Sequence, residues 1–354
     1  NFLYAPGFWL LLSAGMTYAL IGMRTISGVY HHGVLPVVAF AIGWLIAEGS
    51  SDKQIRDGIL ALAAGFGTYA TLNMLVNIGN NRYRLIDFWT GTYRAATGSG
   101  ALNTLPISVA PYAVKFEKRL PVKIMFLALF FATIQYMFML GTRTQFAILL
   151  LIVILAALQF AYSEQGIAGV LKCIGIMAVI SLIAFLLYHF NVLSIREYIL
   201  NTNLAARYER RASLENSDSF RFQSFWIGLR ELIQYPMGGR ASQIYRHNMW
   251  LDVGRVSGII PFCLLLVYSI KNFANVTVIW KNPKILPSLR YLLLFLYIGA
   301  YVNCFVEPIW EGALNFFLAL CVVDGMVSAM MRRLENDPIP EESVPDTSNL
   351  HTDL

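Results

Sequence analysis

Long apolar runs separated by short polar connections occupy most of this chain. A helix needs ~20 consecutive apolar residues to cross the hydrocarbon core of a bilayer, and about ten runs of roughly 16 to 22 residues meet that requirement here. The pattern therefore predicts an all-α, polytopic helical membrane protein with about ten transmembrane helices. The predicted helices are centred near Ser13, Phe40, Phe66, Ser108, Phe131, Val153, Val179, Ile260, Phe295 and Leu320.

The composition agrees with this pattern and limits where chemistry can occur. Hydrophobic residues make up 57% of the 354 residues and charged residues only 14%, which is typical of helical membrane proteins. No stretch has the composition of a large soluble catalytic domain, so any reaction must be carried out by loops and helix ends. The four cysteines lie in apolar runs without CxxC spacing, which indicates small buried side chains and no metal site.

Lysine and arginine are divided between the two sets of predicted loops. All eight lysines lie on one set, together with Arg332 and Arg333 after the last span. The positive-inside rule makes that set the cytoplasmic face. Thirteen of the nineteen arginines lie on the opposite set, where the rule does not explain them. The outer arginines therefore indicate a function on the outer face.

This orientation divides the chain into four parts. Residues 1–192 would hold the first seven predicted helices with short outer loops, and residues 193–246 would form a long outer loop. Residues 247–333 would hold the remaining helices. Residues 334–354 are acidic and rich in proline, which predicts a disordered cytoplasmic tail.

The outer loop 193–246 has eight arginines, no lysine and five carboxylates. Arginine presents a planar fork of hydrogen-bond donors that matches a phosphate group, and it stays charged at any relevant pH. The alternative is that about half of these arginines pair with neighbouring acids on solvated helix faces. The eight are Arg196, Arg207, Arg210, Arg211, Arg221, Arg230, Arg240 and Arg246.

One segment of this loop has the period of an amphipathic helix. Polar capping residues at 216–219 precede apolar residues at helical spacing, and the pattern stops at Tyr235 and Pro236. Such a helix would lie on the membrane surface with its aromatic rings at the interface. A helix that only packs the loop onto the bundle is an equal alternative. The apolar positions are Phe222, Phe225, Trp226, Leu229, Leu232 and Ile233.

His247 stands at the end of the loop, beside Arg246 and Asn248 and about one helical turn before Asp252. A lone histidine at this depth would be an ordinary interfacial residue. Polar residues clustered at the mouth of a membrane cavity, however, tend to be functional. Because imidazole is suited to proton transfer near neutral pH, His247 is a candidate base.

Several stretches together resemble one family. HNMWLDVGRVSG (247–258) is similar to the His-Asn, nine residues, Gly pattern of the bacterial O-antigen ligase and O-antigen polymerase superfamily, whose fold is helical and GT-C-like. YRAATGSGALNTLPI (93–107) resembles the family's Arg, Gly-rich, Asn segment, and GTRTQFAILL (141–150) resembles its Thr-Arg-Thr segment. SFRFQSFWIGLRELIQYPMGG (219–239) resembles the arginine-bearing amphipathic helix that precedes the histidine. Pro261 departs from the family, which has Gly, Thr or Tyr there.

The resemblance implies transfer of a glycan from a polyprenyl diphosphate carrier, with no metal or other cofactor. Arginines would stabilise the negative charge that develops on the diphosphate. His247 would act as base or position the acceptor, and Glu307 is the rival base. The implied diphosphate contacts are Arg94, Arg143, Arg210, Arg211, Arg221 and Arg240, of which Arg143 and Arg221 are also candidate catalytic residues. The implied acceptor or sugar contacts are Asn103, Asn248, Asp252 and Trp310.

Three acceptors fit this family. A polymerase extends the chain onto the next lipid-linked repeat unit, a ligase transfers it to the lipid A core, and a protein O-oligosaccharyltransferase transfers it to Ser or Thr. The polymerase is slightly favoured because only about ten residues separate the amphipathic helix from His247. An anion transporter is the alternative from another class, but the prolines do not mark matched halves.

The resemblance also implies a location and a set of partners. We expect the protein in the bacterial inner membrane with its active site on the periplasmic face. Its substrate would be an undecaprenyl-diphosphate-linked glycan held in the lipid bilayer. A flippase and a chain-length regulator are the implied protein partners, and no nucleic acid is expected.

Overall fold

The structure, a computed structural model, describes residues 1–79, 85–93, 96–212 and 217–336, with the backbone alone for 96–97, 208–212 and 217–221. The regular secondary structure of these residues is helical, apart from one antiparallel bridge between Ile86 and Tyr93. The prediction of an all-α protein is therefore confirmed for the part that the structure describes. The predicted tail beyond Asn336 lies outside the described residues.

The α-helices follow one another along the chain with short connections. In chain order they are α1 (Pro6–Thr17), α2 (Ile26–Gly28), α3 (Leu35–Ala47), α4 (Asp52–Val76), α5 (Ala96–Leu102), α6 (Thr104–Lys115), α7 (Leu120–Leu140), α8 (Arg143–His189), α9 (Ile195–Leu200), α10 (Asn203–Ala212), α11 (Ser217–Gln234), α12 (Met249–Ser257), α13 (Ile259–Lys281), α14 (Pro287–Val306), α15 (Ile309–Gly312) and α16 (Leu314–Asn336). Two π-helical stretches extend α1 to Met23 and join α2 to α3.

Eight helical stretches in the described part are long and apolar enough to cross a membrane. This supports the predicted class, a helical membrane protein. They are α1 with its π-helical extension, α2 joined to α3, and α4, α7, α8, α13, α14 and α16.

Helix α8 is 47 residues long, about twice the length that a bilayer requires. It reverses at Gly166, whose φ of 60° and ψ of −143° are not helical. A β-carbon on Gly169 would lie 2.3 Å from the carbonyl oxygen of Ala161, so the two arms fold back at this turn. Helix α8 thus covers both of the predicted spans near Val153 and Val179.

Two of the predicted spans are interrupted. The segment around Ser108 is divided at Asn103 into α5 and α6. The segment around Ile260 is divided at Gly258, whose φ of 90° separates the nine-residue α12 from α13. His247 therefore precedes the nine-residue α12 and not the long apolar helix. Helix α12 is too short to cross a bilayer, and the long apolar helix is α13.

The core joins the first helices of the chain to the last ones. Tyr18 and Trp310 are completely buried, and their ring centroids lie 5.6 Å apart. Deeper in the bundle, the hydroxyls of Tyr268 and Tyr297 donate hydrogen bonds of 2.6 and 2.5 Å to the buried Asp324. These bonds fix α13, α14 and α16 to one another, and the candidate site lies where α14 ends and where α13 and α16 begin.

Helix α11 spans Ser217–Gln234, where the apolar period predicted an amphipathic helix. One of its faces packs onto α12, where Gly228 and Leu232 are buried. The opposite face leaves Phe222, Trp226 and Ile233 between 55% and 80% exposed. An exposed apolar face with a tryptophan is suited to a membrane interface.

Candidate active site

His247 lies in the turn before α12 with a left-handed backbone, at a φ of 54°. The neighbouring backbone N–H groups, those of Arg246 and Asn248, donate hydrogen bonds of 2.7 and 3.4 Å to the carboxylate of Asp252. A left-handed conformation is costly for a residue other than glycine, and it persists only where surrounding contacts determine it. Asp252, which is completely buried, supplies two such contacts.

Asn248 caps α12 and joins it to the end of α14. Its Oδ1 accepts the N–H of Leu251 at 3.0 Å, and its Nδ2 donates to the carbonyl oxygen of Phe305 at 3.1 Å. This connection brings His247 to Glu307, with 3.9 Å between Nδ1 and Oε2. The imidazole is 28% exposed and the Glu307 side chain 6% exposed, so a ligand would contact the pair through the histidine.

Glu307 is also held by the start of α8. The hydroxyl of Thr144 donates a 2.6 Å hydrogen bond to Oε1 of Glu307. Arg143, the first residue of α8, precedes it and is half-buried. The amino-terminal end of a helix has a partial positive charge. The amino-terminal end of α8, with Arg143 as its first residue, therefore lies beside the His247–Glu307 pair, which favours binding of an anion.

Buried polar side chains extend from the start of α8 towards the interior of the bundle. Gln145 donates to Asn303 at 3.3 Å, and Asn303 donates to the hydroxyl of Thr104 at 3.0 Å, which connects α8, α14 and α6. Asn103, at the break before α6, is 1% exposed. Within the described residues neither atom of its amide makes a hydrogen bond. A buried amide without partners costs about 1–3 kcal/mol, and such groups often mark functional sites.

Two of the outer arginines are paired with one acid. Arg246 donates through Nε and Nη2 to the two oxygens of Glu231, at 3.0 and 2.8 Å, and both side chains are buried. Nη2 of Arg240 lies 3.4 Å from Oε1 of Glu231, and its guanidinium stacks over Tyr235 at 4.3 Å. Part of the positive charge of the segment 193–246 is thus compensated by an acid of the same segment, in a buried cluster and not on the solvated helix face that the alternative predicted.

Arg255 on α12 binds the loop between Gly239 and His247 through hydrogen bonds to its backbone. Its Nη1 donates to the carbonyl oxygens of residues 240, 241 and 243, at 2.7, 3.0 and 3.1 Å. Its Nη2 donates to both oxygens of Glu311 at 3.0 Å, and its Nε donates to Asp252 at 3.3 Å. One buried guanidinium therefore fixes the loop, Asp252 and the α15 segment at the same time.

An apolar groove with a volume of about 800 Å³ begins beside this site. Asn248 and Phe305, the neighbours of the His247–Glu307 pair in the chain, line its outer end, and Lys281 lines its other end. We name it the α13 groove. Its remaining lining residues are Phe225, Leu229, Trp250, Leu251, Phe262, Leu266, Ser269, Ile270, Phe273, Ala274, Thr277, Val278 and Tyr301.

The structure brings some of the predicted site residues together. His247 and Glu307 face each other, and Arg143 adjoins Thr144, which is bonded to Glu307. Asn103 lies next to Thr104, among the buried polar side chains that extend from the start of α8. Arg94 lies outside the described residues, and the side chains of Arg210, Arg211 and Arg221 lie outside the described part as well.

Other predicted contacts have structural roles. Trp310 is 0% exposed and packs against Tyr18 and His32, so its indole is not an exposed stacking surface for a sugar. Asp252 and Asn248 are buried, and their polar atoms are occupied by the backbone bonds of this turn. These residues support the site and do not line it as acceptor contacts, apart from Asn248 at the mouth of the α13 groove.

The sequence analysis did not single out Arg255, Glu311 or Thr144 as site residues. A signal was present for the first pair, since an arginine inside an apolar helix needs an acid nearby. Asp252 and Arg255 are also spaced at i and i+3 on one helix face. Nothing local in the sequence indicates the Thr144–Glu307 bond, because 163 residues separate its partners.

Among the described residues, no group of three or more His, Cys, Asp and Glu side chains could hold a metal ion. The polar groups at the site are instead a histidine, a carboxylate and an arginine.

No protein-family model matches the chain, and no curated protein matches it.

Proposed function

We propose that the protein is a glycosyltransferase that moves a growing glycan from a polyprenyl diphosphate to a hydroxyl of the next lipid-linked repeat unit, an O-antigen type of polymerase. The observation that carries this proposal is the His247–Glu307 pair, 3.9 Å apart, at the outer end of the α13 groove. The resemblance of residues 94–270 to the O-antigen ligase and polymerase superfamily supports it. We place the site on the periplasmic face of a bacterial inner membrane.

The reaction needs a base, a means of accepting the leaving group and a site for the lipid. The acceptor hydroxyl attacks the anomeric carbon, its proton passes to His247, and the bond from that carbon to the diphosphate oxygen breaks. Glu307 stabilises the imidazolium that forms, because its carboxylate is held towards the ring by Thr144. Arg143 at the positive end of α8 stabilises the diphosphate that leaves.

The α13 groove has the dimensions and the chemistry for a prenyl chain. The groove follows α13 from Phe262 to Lys281, about 28 Å along the helix, which is close to the ~30 Å hydrocarbon thickness of a bilayer. Its lining is almost wholly apolar between these ends. A diphosphate at its outer end would lie beside Asn248, one residue from the candidate base.

The test is elongation of a lipid-linked repeat unit by membranes that contain the protein. We expect the wild type to form a ladder of longer lipid-linked glycans. His247→Gln should slow the ladder by about 10²–10⁴-fold, the range for loss of general base catalysis. Arg143→Ala should slow the ladder as well, because it removes a cation that stabilises the leaving diphosphate. Arg230→Ala is the matched control, because Arg230 is an exposed arginine on α11 outside the site, and it should elongate normally.

The same assay separates the alternatives. Equal elongation by His247→Gln and the wild type would exclude His247 as the base. Transfer to added lipid A core in the absence of a ladder would indicate a ligase. If neither product forms, and the protein instead carries anions across vesicle membranes, a transporter is the better account.

A further inference from the structure

A second cavity lies between the outer half of α4, the loop 85–93, α5 and the start of α16. It has two connected parts with volumes of about 460 and 290 Å³, which share Asp87, Leu102 and Asn315. None of its lining residues lines the α13 groove. We name it the α4–α16 cavity. The other residues that line it are Ala61, Leu62, Gly65, Phe66, Tyr69, Trp89, Thr90, Thr92, Tyr93, Gly98, Glu311, Gly312, Ala313 and Leu314.

The outer end of this cavity is polar and aromatic. Asp87 organises the loop there, because its carboxylate accepts the N–H groups of Trp89 and Thr90 at 3.0 and 2.9 Å, as well as the hydroxyl of Tyr69. These bonds fix the backbone of the loop at residues 89 and 90, and the side chains of Trp89 and Tyr93 are 81% and 69% exposed. Exposed aromatic faces beside hydroxyl and amide groups suit a sugar, whose C–H faces pack on rings and whose hydroxyls need hydrogen-bond partners.

The inner end of the cavity is apolar. Ala61, Leu62 and Phe66 on α4 line it, at depths that extend about 12 Å below Tyr69 along the helix. A β-carbon on Gly65 would meet no atom within 4 Å, so the space beside it is open. A polar, aromatic outer end above an apolar inner end matches an amphiphile with a sugar head and a hydrocarbon chain.

A short chain of buried polar contacts links this cavity to the candidate active site. Glu311 lines the cavity and accepts both hydrogen bonds from Nη2 of Arg255. Arg255 also donates to Asp252, which accepts the backbone N–H groups on both sides of His247. The hydrogen-bond network from Glu311 through Arg255 to Asp252 therefore connects the α4–α16 cavity to the turn that carries His247, and Asn248 of the same turn lines the α13 groove.

We propose that the α4–α16 cavity is the site that binds the lipid-linked acceptor. The inference rests on the proposed transferase function and adds the place where its second substrate binds. The α13 groove would then hold the donor. A transferase that binds one lipid in the α13 groove and another in the α4–α16 cavity joins two lipid-linked glycans. Transfer to a protein would leave the α4–α16 cavity without a lipid ligand.

The experiment measures photocrosslinking of a lipid-linked glycan, here called capture, from a position in each cavity. The protein, in phospholipid nanodiscs, carries p-benzoylphenylalanine in place of Leu62 in the α4–α16 cavity or of Phe273 in the α13 groove. The probe is a radiolabelled undecaprenyl-diphosphate-linked trisaccharide, and irradiation joins it to the protein. Gly65→Leu should reduce capture at position 62 by about tenfold and leave capture at position 273 unchanged.

Two matched controls accompany this variant. Gly175→Leu places the same side chain on α8 at a glycine whose β-carbon would also meet no atom within 4 Å, and it should capture normally. Trp89→Ala should weaken capture at position 62, because it removes a ring from the outer end of the cavity. Trp226→Ala removes another exposed tryptophan, which lines neither cavity, and it should not weaken capture. The size-exclusion profile of each variant reports whether it folds.

Two results would overturn the proposal. One is undiminished capture at position 62 in both Gly65→Leu and Trp89→Ala. The other is equal competition at position 62 by the trisaccharide lipid and by undecaprenyl diphosphate without sugars, which would make the cavity a slot for lipid chains only. Elongation is assayed in the same nanodiscs, so capture at position 62 by a protein that elongates nothing would count against the proposed function and not against the cavity.

Discussion

The carboxylate of Asp252 accepts the backbone N–H groups before and after His247, while Arg255 binds one of its oxygens. An amide in its place offers one accepting oxygen and turns an NH₂ group towards these donors. We expect Asp252→Asn to lower the rate of glycan transfer by about 10²-fold, the cost of misplacing a catalytic group by about 1 Å. The KM for the lipid-linked donor should change little, because the α13 groove remains intact. Initial rates over a range of donor concentrations check this prediction.

The control for this substitution is Asp324→Asn. Asp324 is as deeply buried as Asp252 and accepts hydrogen bonds from two tyrosine hydroxyls, but it lies in the core of the bundle. Both substitutions should lower the melting temperature by several degrees, on the order of 1–3 kcal/mol for an impaired buried network. Only Asp252→Asn should lower the transfer rate of the protein that remains folded. Equal losses of rate in both variants would make Asp252 a packing residue.

Single residues also show why the candidate site was only partly predictable. His247 and Glu307 were found because a titratable side chain at the end of an apolar run is unusual. Trp310 was a candidate sugar contact at a predicted span end, with an interface anchor as the alternative, whereas here the return of the chain through α15 buries it against Tyr18. The roles of Asp252 and Asn248 depend on a left-handed turn. Side-chain spacing along a sequence does not encode such a turn.

The break between α12 and α13 is the helical element on which the site is built. Gly258 has a φ of 90°, and a β-carbon on it would lie 2.1 Å from the carbonyl oxygen of Pro236. That carbonyl accepts the N–H of Ile259 at 2.9 Å, so the end of α11 is joined to the start of α13. We expect Gly258→Ala to destabilise the protein by about 2 kcal/mol or more, because it adds both strain and a clash. Thermal unfolding followed by tryptophan fluorescence measures the effect.

Gly175→Ala is the comparison for this substitution. Gly175 lies inside α8, and a β-carbon there would meet no atom within 4 Å. Alanine should leave the melting temperature unchanged or raise it slightly, since it favours the helix by about 0.5–1 kcal/mol over glycine. If Gly258→Ala unfolded at the same temperature as Gly175→Ala, the break would not depend on the positive φ of Gly258.

The helices differ in how well their sequences predict them. Helix α11 matches its prediction because its capping residues, apolar period and terminal Pro236 all act within one segment. The breaks at Asn103 and Gly258 were missed because hydropathy continues across them, and contacts with distant helices determine the backbone there. The reversal of α8 at Gly166 was predicted as two spans, since the polar residues near the turn interrupt the apolar run.

The predicted membrane topology gives the molecule an outer and a cytoplasmic face. Both functional proposals require that His247 lies on the outer face. Ser242 is exposed in the connection that Arg255 holds beside His247, and Lys284 is exposed in the connection between α13 and α14. The distribution of lysine predicts a cytoplasmic position for Lys284. We therefore expect Ser242→Cys to react with a membrane-impermeant maleimide in intact spheroplasts. Lys284→Cys should react only after detergent opens the membrane.

The native cysteines make this labelling experiment clean. Cys304 and Cys321 are buried, and the half-buried Cys173 and the exposed Cys263 lie within the apolar helices α8 and α13, which a membrane-impermeant reagent does not reach when these helices cross the bilayer. The unsubstituted protein should thus remain unlabelled in spheroplasts and serve as the background. The reverse pattern, with Lys284→Cys labelled from outside and Ser242→Cys protected, would place the His247–Glu307 pair in the cytoplasm. The proposed transfer on the periplasmic face would then be excluded, and the outer arginines would be ordinary positive-inside charges after all.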